Sequence, residues 1–302
     1  ACARQPAASV ALAAGWRVCL VGGGQEINTG EGGISEWITA LNEQFRHWKV
    51  YISNKLTAPE YAGGKVNELL KDNPNVVFSE ALHLAVSLRS FRAERLSDFV
   101  HALLSCDAKA CELYNEVVAN QYPVFLTRDI NKARGWLREN ARGTSQTGIL
   151  VSKVAARFKP QAVTVLAQDD ENAVHWFLED KQDVRSSNYL EEAATEIQVQ
   201  GLELDYACVL WDADFRHEND KWNYYKFNGR TAWIPEKNEN TRKYMLNAYR
   251  VLLTRARQGI VICVPEGSPR FNPEGYPEDS TRLPEFYNGT YEYLESLGIA
   301  KL

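Results

Sequence analysis

Two segments near the C-terminus place small and charged residues beside strongly apolar runs. TEIQVQGLELDYACVLW (Thr195–Trp211) ends in an apolar run from Tyr206 to Trp211, and NAYRVLLTRARQGIVICV (Asn247–Val264) ends in one from Gly259 to Val264. Such runs are typical of strands that are covered on both faces of a parallel sheet. Gly-Leu-Glu stands before the first run and Thr-Arg-Ala-Arg before the second. Because α/β folds bind ligands at strand ends, we predict a ligand site where these groups lie.

The sequence lacks the phosphate-binding loop of an ATP-hydrolysing P-loop enzyme. That loop has the pattern G-x-x-x-x-G-K-[ST], whose backbone N–H groups and lysine hold the β and γ phosphates. The nearest match, Pro59–Val66, lacks the first glycine and the magnesium-binding Ser or Thr, and no strand ends in Asp-Glu. Gly22–Gly24 is followed by Ile27 where a dinucleotide-binding loop has its third glycine. We therefore predict that this chain alone does not hydrolyse ATP.

The composition is that of a globular chain long enough for one large domain or two smaller ones. Of its 302 residues 45% are apolar, and the net charge is −5. This net negative charge excludes a positive potential over the whole surface that would attract nucleic acid. Any contact with nucleic acid must therefore use a local groove or a basic neighbouring protein segment. No apolar run reaches the roughly 18 residues that cross a bilayer, so we predict no membrane partner.

The six cysteines form no regular framework. Cys19, Cys208 and Cys263 lie in apolar runs, where a thiol behaves as a small hydrophobe. Cys106 and Cys111 have no partners that would complete a zinc site. We predict a reducing, cytoplasmic location and no metal site.

Predicted strands and helices alternate along almost the whole chain. Beside the two apolar runs, strands are predicted at Trp16–Gly22, Trp48–Ser53, Leu82–Leu88, Tyr122–Thr127, Gly148–Ser152 and Val163–Ala167. Helices are predicted at Ile34–Phe45, Val66–Lys71, Glu94–Leu104, Ala108–Asn120, Asn172–Leu178, Asn240–Arg255 and Pro284–Leu297. A further helix is predicted from a cap on Asp129 or Thr127 to about Arg142, and a short one is predicted before Phe158. The aromatic-rich segment Lys221–Lys237 predicts a hairpin. This alternation predicts an α/β fold with a doubly wound, mostly parallel sheet.

Four blocks of the sequence resemble motifs of superfamily 1 helicases. VGGGQEI resembles motif III, SLRSFR motif IV, TEIQVQGLELD motif V and YRVLLTRARQG motif VI. Together with LTRDINKARGWLRENARG and DVRSSNYLEEAATEIQVQGLELDYACVLWDADFR, they are similar to the Schlafen-like DNA/RNA helicase domain family of bacteria, from about Val18 to the C-terminus. The resemblance implies a RecA-like sheet. The chain departs from the family at its front, where the Walker A and Walker B motifs are missing.

The resemblance implies an ATP site whose cofactors in the complete protein are ATP and Mg²⁺. Arg255 would reach across a domain cleft to the γ phosphate, and Gln25 would sense that phosphate, both in catalytic roles. Arg89 would contact phosphate with its guanidinium fork, which pairs with two oxygens at once. Gly201 would allow close backbone approach, and Glu203 would meet the nucleotide sugar or an arginine. Thr195 and Gln198 would face the backbone of a bound nucleic acid.

The assignments of Gln25, Arg89, Glu203 and Arg255 each have a structural alternative. Gln25 would then lie on a Gly-rich surface turn, Arg89 would be a solvated strand end, and Glu203 would be an ion-pair partner. In the same alternative, Arg250, Arg255 and Arg257 would be exposed charges at a helix end, where the helix dipole favours them.

Two further residue sets have competing interpretations. Six aromatic rings could stack on unpaired bases, although packing of a hairpin onto the sheet is the favoured interpretation. These rings are Trp211, Trp222, Tyr224, Tyr225, Phe227 and Trp233. The set Asp169, Asp170, Glu179 and Lys181 imitates a metal-dependent nuclease, but its segment has a helical pattern where a hairpin is required.

The sequence therefore predicts the C-terminal part of a superfamily 1 helicase-like ATPase. Residues 1–15 remain unplaced, residues 16–75 would end a first RecA-like domain, and residues 76–302 would form a second one. Because the chain begins without Met, we expect a truncated reading frame or an artificial boundary. In the complete protein the expected partners are a single strand of DNA or RNA and the missing N-terminal RecA-like domain. The alternative is a non-catalytic nucleic-acid or protein-binding module on a degenerate RecA-like fold.

Overall fold

A computed structural model of the chain describes residues 17–20, 26–27, 33–57, 61, 64–83, 95–167, 169–229, 232–268, 270–276 and 278–302. The chain divides into two compact units, residues 1–87 and 88–302. Each unit is described by itself. The predicted division at residues 75 and 76, and the assignment of the parts to two RecA-like domains, stay predictions.

The first unit packs two short helices on a pair of parallel strands. Its helices are α1 (Gly33–Glu43) and α2 (Val66–Leu70), and its strands are β1 (Val50–Ile52) and β2 (Val76–Phe78). Its small core comprises Ile34, Ile38, Leu56, Val66 and Leu70. Two of these residues are four positions apart on α1, so the predicted helical spacing places them on one buried face.

The predicted buried strand Trp16–Gly22 is wrong for residues 17–20. These residues are in no strand, and Val18 and Leu20 are each 60% exposed. An apolar run forms a strand only where a neighbour takes up its backbone N–H and C=O groups, and no described strand does so here. Leu82 lies in a 3-10 turn (Glu80–Leu82), and residues 84–88 of the predicted strand Leu82–Leu88 lie outside the described residues.

The second unit alternates helices and strands as predicted. Its helices are α3 (Leu96–Leu104), α4 (Ala110–Ala119), α5 (Ile130–Asn140), α6 (Asp170–Leu178), α7 (Glu239–Leu253) and α8 (Glu285–Ser296). Its strands are β3 (Val124–Thr127), β4 (Thr147–Val151), β5 (Thr164–Val165), β6 (Glu192–Thr195), β7 (Leu204–Leu210), β8 (Phe215–Glu218), β9 (Lys221–Asn228), β10 (Ala232–Pro235), β11 (Ala256–Cys263) and β12 (Ala300–Lys301). The predicted cap of α5 is correct, because the Asp129 carboxylate accepts a hydrogen bond from the Asn131 N–H. The predicted short helix before Phe158 is absent.

Seven of these strands form one sheet in the order β12-β3-β11-β7-β4-β6-β5, and every neighbouring pair is parallel. This confirms the predicted α/β, RecA-like arrangement. Ile149 and Val151 of β4 face a core that includes Ile130 and Leu137 of α5. Successive strand residues face opposite sides, and an added Cβ on Gly148 would lie 2.7 Å from the Trp176 ring of α6. Helices therefore cover both faces of the sheet, which is why its strands are nearly continuous apolar runs.

The segment after β7 forms a small antiparallel sheet in the order β10-β9-β8. This confirms the predicted hairpin and adds β8 to it. Trp211, Phe215, Trp222 and Tyr249 stack together as a buried aromatic core, with the Trp211 and Tyr249 rings 4.3 Å apart. Trp211 and Trp222 thus pack the hairpin rather than offering a surface for bases. Among the described residues, no helix combines the length and the apolar character needed to cross a membrane.

Candidate functional site

Three of the residues predicted to face ATP, Gly201, Glu203 and Arg255, lie near one another at the amino edge of the sheet, where the parallel strands begin. Leu204 opens β7 opposite Ala256, which opens β11, and the Leu204 N–H donates to the Arg255 carbonyl oxygen at 2.9 Å. Glu203 directly precedes Leu204, and Arg255 directly precedes Ala256. The fold therefore places them side by side although 52 positions separate them in the sequence.

Gly201 forms the exposed turn before this edge. Its φ of +87° lies in the left-handed region, and an added Cβ would meet nothing within 4 Å. A residue with a side chain would be strained there by its backbone rather than by a clash. The glycine leaves open space at this turn, and close approach of its backbone to a nucleotide stays a prediction.

Arg255 is not the exposed helix-end charge that the structural alternative supposed. It is only 3% exposed, and its Nε donates to the Val251 carbonyl oxygen at 3.3 Å, at the end of α7. Arg250 is half-buried, and of the three arginines only Arg257 is exposed. Burial fixes the position of the Arg255 stem at the amino edge.

Asp205 is the centre of a hydrogen-bond network beside Arg255. Its carboxylate accepts from Arg257 Nη2 at 3.0 Å, from Gln258 Nε2 at 2.8 Å and from the Gln146 N–H at 2.9 Å. The pairing of β11 with β7 shifts register between Ala256 and Gly259, so Arg257 and Gln258 lie at an irregularity of the ladder. Such irregularities re-aim nearby side chains. Asp205 thus holds the strand start that follows Arg255, a role that the sequence alone did not indicate.

Replacing Asp205 by alanine should lower the free energy of unfolding by about 2 kcal/mol, because three donors lose a shared acceptor that is itself buried. Urea unfolding followed by circular dichroism would measure this. The matched control is Asp183→Ala, which removes a carboxylate whose ion pair with Arg185 lies on the surface and should change stability much less. Equal effects of the two substitutions would contradict the anchoring role.

Thr195 and Gln198, the residues predicted to face nucleic acid, lie at the opposite edge. Thr195 ends β6 and is buried, and both its N–H and its hydroxyl donate to Gln198 Oε1, at 2.8 and 3.1 Å. Gln198 Nε2 donates in turn to the Ala167 carbonyl oxygen at 2.7 Å. The two side chains therefore use these groups to close the turn after β6. Their contact with nucleic acid stays a prediction.

The ATP-facing and nucleic-acid-facing predictions thus occupy two different edges. The general rule that ligands bind at the carboxyl ends of parallel strands does not hold for the predicted site at Gly201, Glu203 and Arg255, because these residues lie where strands begin. The predicted Gln25 and Arg89 lie outside the described residues. In the described part of the chain, no group of three or more His, Cys, Asp or Glu residues can hold a metal ion.

A comparison with protein families matches residues 7–266 to the model described as Schlafen group 3, DNA/RNA helicase domain. The chain belongs to this family. The matched region includes both edges of the sheet and confirms the resemblance inferred from the motif blocks. No curated protein matches the chain.

The Schlafen group 3 domain also carries buried carboxylates at the carboxyl edge, which our sequence analysis did not single out. Asp212 and Asp214 follow β7, and Glu196 follows β6. The Tyr287 hydroxyl donates to Asp212 at 3.0 Å and the Tyr249 hydroxyl to Asp214 at 2.7 Å. For Asp212 the signal was an acidic residue directly after a predicted strand, a position where charge is either functional or structural.

Burial raises the pKa of two carboxyls at this edge, Asp214 and Glu196. The pKa of Asp214 rises from its ordinary value of 3.8 to about 8, mainly through burial and also through the negative charge of Asp212. Burial raises the pKa of Glu196 as well. Asp214 is therefore protonated at neutral pH, and folding favours its protonated form.

This shift predicts how stability depends on pH. Because the folded-state pKa of Asp214 lies above the unfolded value, its contribution is fully present below about pH 4 and is lost as pH rises toward about 8. The stability of wild type relative to Asp214→Asn should fall across this window and then level off. Urea midpoints of both proteins from about pH 5 to 9 would measure it. A difference that stays constant with pH would contradict the assignment.

The matched control for that experiment is Asp183→Asn. The Arg185 side chain lowers the pKa of the exposed Asp183 carboxyl to about 2, so this group does not titrate in the same pH window. Its difference from wild type should stay flat between about pH 5 and 9.

Proposed function

We propose that this domain is the second RecA-like half of a superfamily 1 type motor, which hydrolyses ATP to move along or unwind nucleic acid. The observation that carries the proposal is the pairing of β7 with β11, which places Glu203 and Arg255 side by side beside Gly201. In this proposal the amino edge forms one wall of an ATP cleft. A RecA-like domain with a phosphate-binding loop would supply the other wall.

The side chains at this edge fit part of an ATP molecule. A guanidinium on a buried stem suits the γ phosphate, and a carboxylate beside a glycine turn suits the sugar. They do not fit the β phosphate or Mg²⁺, which need the absent G-x-x-x-x-G-K-[ST] loop. ATP and Mg²⁺ would therefore be held mainly by the other domain, and we expect weak or no binding of nucleotide to this chain alone.

Arg255 would act when the cleft closes. Its Nε would exchange the Val251 carbonyl oxygen for oxygens of the γ phosphate and offset the charge that develops in phosphoryl transfer. The network around Asp205 would keep the strand start in place, since a displacement of about 1 Å is costly for such a contact. The family resemblance gives Gln25 the role of sensing the γ phosphate and Arg89 that of contacting phosphate.

The complete natural protein should hydrolyse ATP, faster with single-stranded DNA or RNA present. This 302-residue chain alone should not, and mixing it with a RecA-like domain that carries the family's phosphate loop should restore turnover. A coupled assay of phosphate release would measure all three cases. ATP hydrolysis by this chain alone, or none by the complete protein, would contradict the proposal.

The second candidate is a non-catalytic module that binds nucleic acid or protein on the same fold. The missing phosphate loop favours it. A complete protein that binds oligonucleotides but turns over no ATP would support this candidate over the motor.

We also propose a reducing, cytoplasmic location, because the buried Cys208 and Cys263 are free thiols.

A further inference from the structure

The loop after β4, residues 152–161 (SKVAARFKPQ), is a basic segment in an acidic chain. It contains Lys153, Arg157 and Lys159 and no acidic residue, whereas the whole chain has a net charge of −5. This 152–161 loop leaves the carboxyl end of a strand that lies inside the sheet, between β7 and β6. Loops in this position commonly carry binding residues.

Two of the buried carboxylates hold the backbone of the 152–161 loop. Glu196 Oε2 accepts from the Lys153 N–H at 2.8 Å, and Asp212 Oδ2 accepts from the N–H groups of Ala156 and Arg157 at 2.9 and 3.0 Å. With its backbone tied inward, the loop leaves basic side chains at the surface. The Arg157 side chain is 30% exposed and Lys159 is exposed. The buried carboxylates thus fix positive charges at the carboxyl edge.

Aromatic rings of the hairpin lie beside one of these charges, that of Arg157. The Arg157 guanidinium lies 5.7 Å from the centroid of the Phe227 ring, and the Phe227 and Trp233 rings are 5.0 Å apart. Both rings are half-buried, whereas Trp211 and Trp222 are buried in the aromatic core. A ring next to a guanidinium offers a base a stacking face and offers its phosphate a positive charge.

We propose that the 152–161 loop and the Phe227–Trp233 pair bind single-stranded nucleic acid. Arg157 and Lys159 contact phosphates, and Phe227 stacks on a base. A phosphate competes for Arg157 with the Asp279 carboxylate, which lies 3.1 Å from Nη2. Single strands are favoured over duplexes because stacking on a ring requires an unpaired base. This inference rests on the proposed function and gives it a nucleic-acid contact surface beyond Thr195 and Gln198.

The test is fluorescence anisotropy of labelled oligo(dT) and oligo(U), each about 16 nucleotides long, titrated with the 302-residue chain over a range of salt concentrations. The double substitution Arg157→Ala/Lys159→Ala should weaken binding by about tenfold or more at low salt. It should also reduce the slope of log K against log salt by about 1.4, because each phosphate contact with a single strand contributes about 0.7. Phe227→Leu keeps an apolar side chain for packing and should weaken binding by about tenfold with an unchanged slope.

The control Arg138→Ala/Lys243→Ala removes two exposed charges from α5 and α7 and should leave affinity and slope as in wild type. Wild-type affinity and slope in Arg157→Ala/Lys159→Ala would overturn the inference, as would no binding by wild type. Equal displacement of the oligonucleotide by poly-glutamate would overturn the assignment to nucleic acid. The ATP assays of the complete protein do not depend on these substitutions, so the proposed function stands or fails separately.

Discussion

Replacing Arg255 by alanine should lower the ATP turnover number of the complete protein by about a thousandfold or more. An arginine that reaches the γ phosphate from a second domain stabilises charge that develops in the transition state, so its loss should lower kcat much more than it raises KM. Arg255 is the candidate because the start of β11 fixes it beside Glu203 and Gly201 at the amino edge. Steady-state kinetics with saturating single-stranded nucleic acid would measure the effect.

Two further variants separate this role from a structural one, because Arg255 is buried. Arg255→Lys keeps the charge but loses the planar fork, and should recover only part of the lost turnover. Arg134→Ala removes another buried arginine, which donates to the carbonyl oxygens of Leu190 and Ala162, before β6 and β5 rather than before β7 and β11. It should lower stability and leave kcat unchanged. Normal turnover by folded Arg255→Ala would contradict the assignment.

The largest loss of stability should follow from replacing Trp211 by alanine, at about 4 kcal/mol in the free energy of unfolding. Trp211 is 1% exposed and stacks on Phe215, Trp222 and Tyr249. Its indole Nε1 donates to the Phe215 carbonyl oxygen at 2.6 Å. The substitution leaves a cavity where β7, the hairpin and α7 meet. Urea unfolding followed by far-ultraviolet circular dichroism would measure the loss.

Two variants define the origin of that loss. Trp211→Phe keeps a ring and removes the indole donor, so it should cost clearly less than the alanine variant. Tyr276→Ala removes a ring that is 69% exposed and should change stability by less than about 0.5 kcal/mol. A urea midpoint for Trp211→Ala that matches wild type would contradict the packing role of this ring.

Much of the sheet was predictable from the sequence because its interior strands are covered on both faces. The runs around Tyr206–Trp211 and Gly259–Val264 are apolar throughout, and they appear as β7 and β11. The two-residue strand β5 lies within the predicted strand Val163–Ala167, whereas β12 was not predicted, because two residues establish no period. β6 was missed because its Glu-Ala-Ala-Thr sequence is polar at both ends and has no β-branched run.

The candidate site was predictable in its residue types but not in its arrangement. The sequence indicated Glu203 and Arg255 through their motif blocks, and parallel pairing makes them neighbours. It did not indicate that Asp205 anchors Arg257, because that contact depends on the local register of two strands. The hydrogen bond between Thr195 and Gln198 joins residues only three positions apart, so it depends on local structure. The burial of the Thr195 side chain, in contrast, comes from the surrounding fold.

The sequence by itself determined the α/β class, the family and the absence of a phosphate-binding loop, because each depends on residue types and local spacing. The tertiary structure decided that the motif residues lie on two opposite edges, that Arg255 is buried, and that Glu196 and Asp212 hold a basic loop. Those features depend on which strands become neighbours and in which register. Strand order and register are set by packing across the whole sheet, which local spacing does not specify.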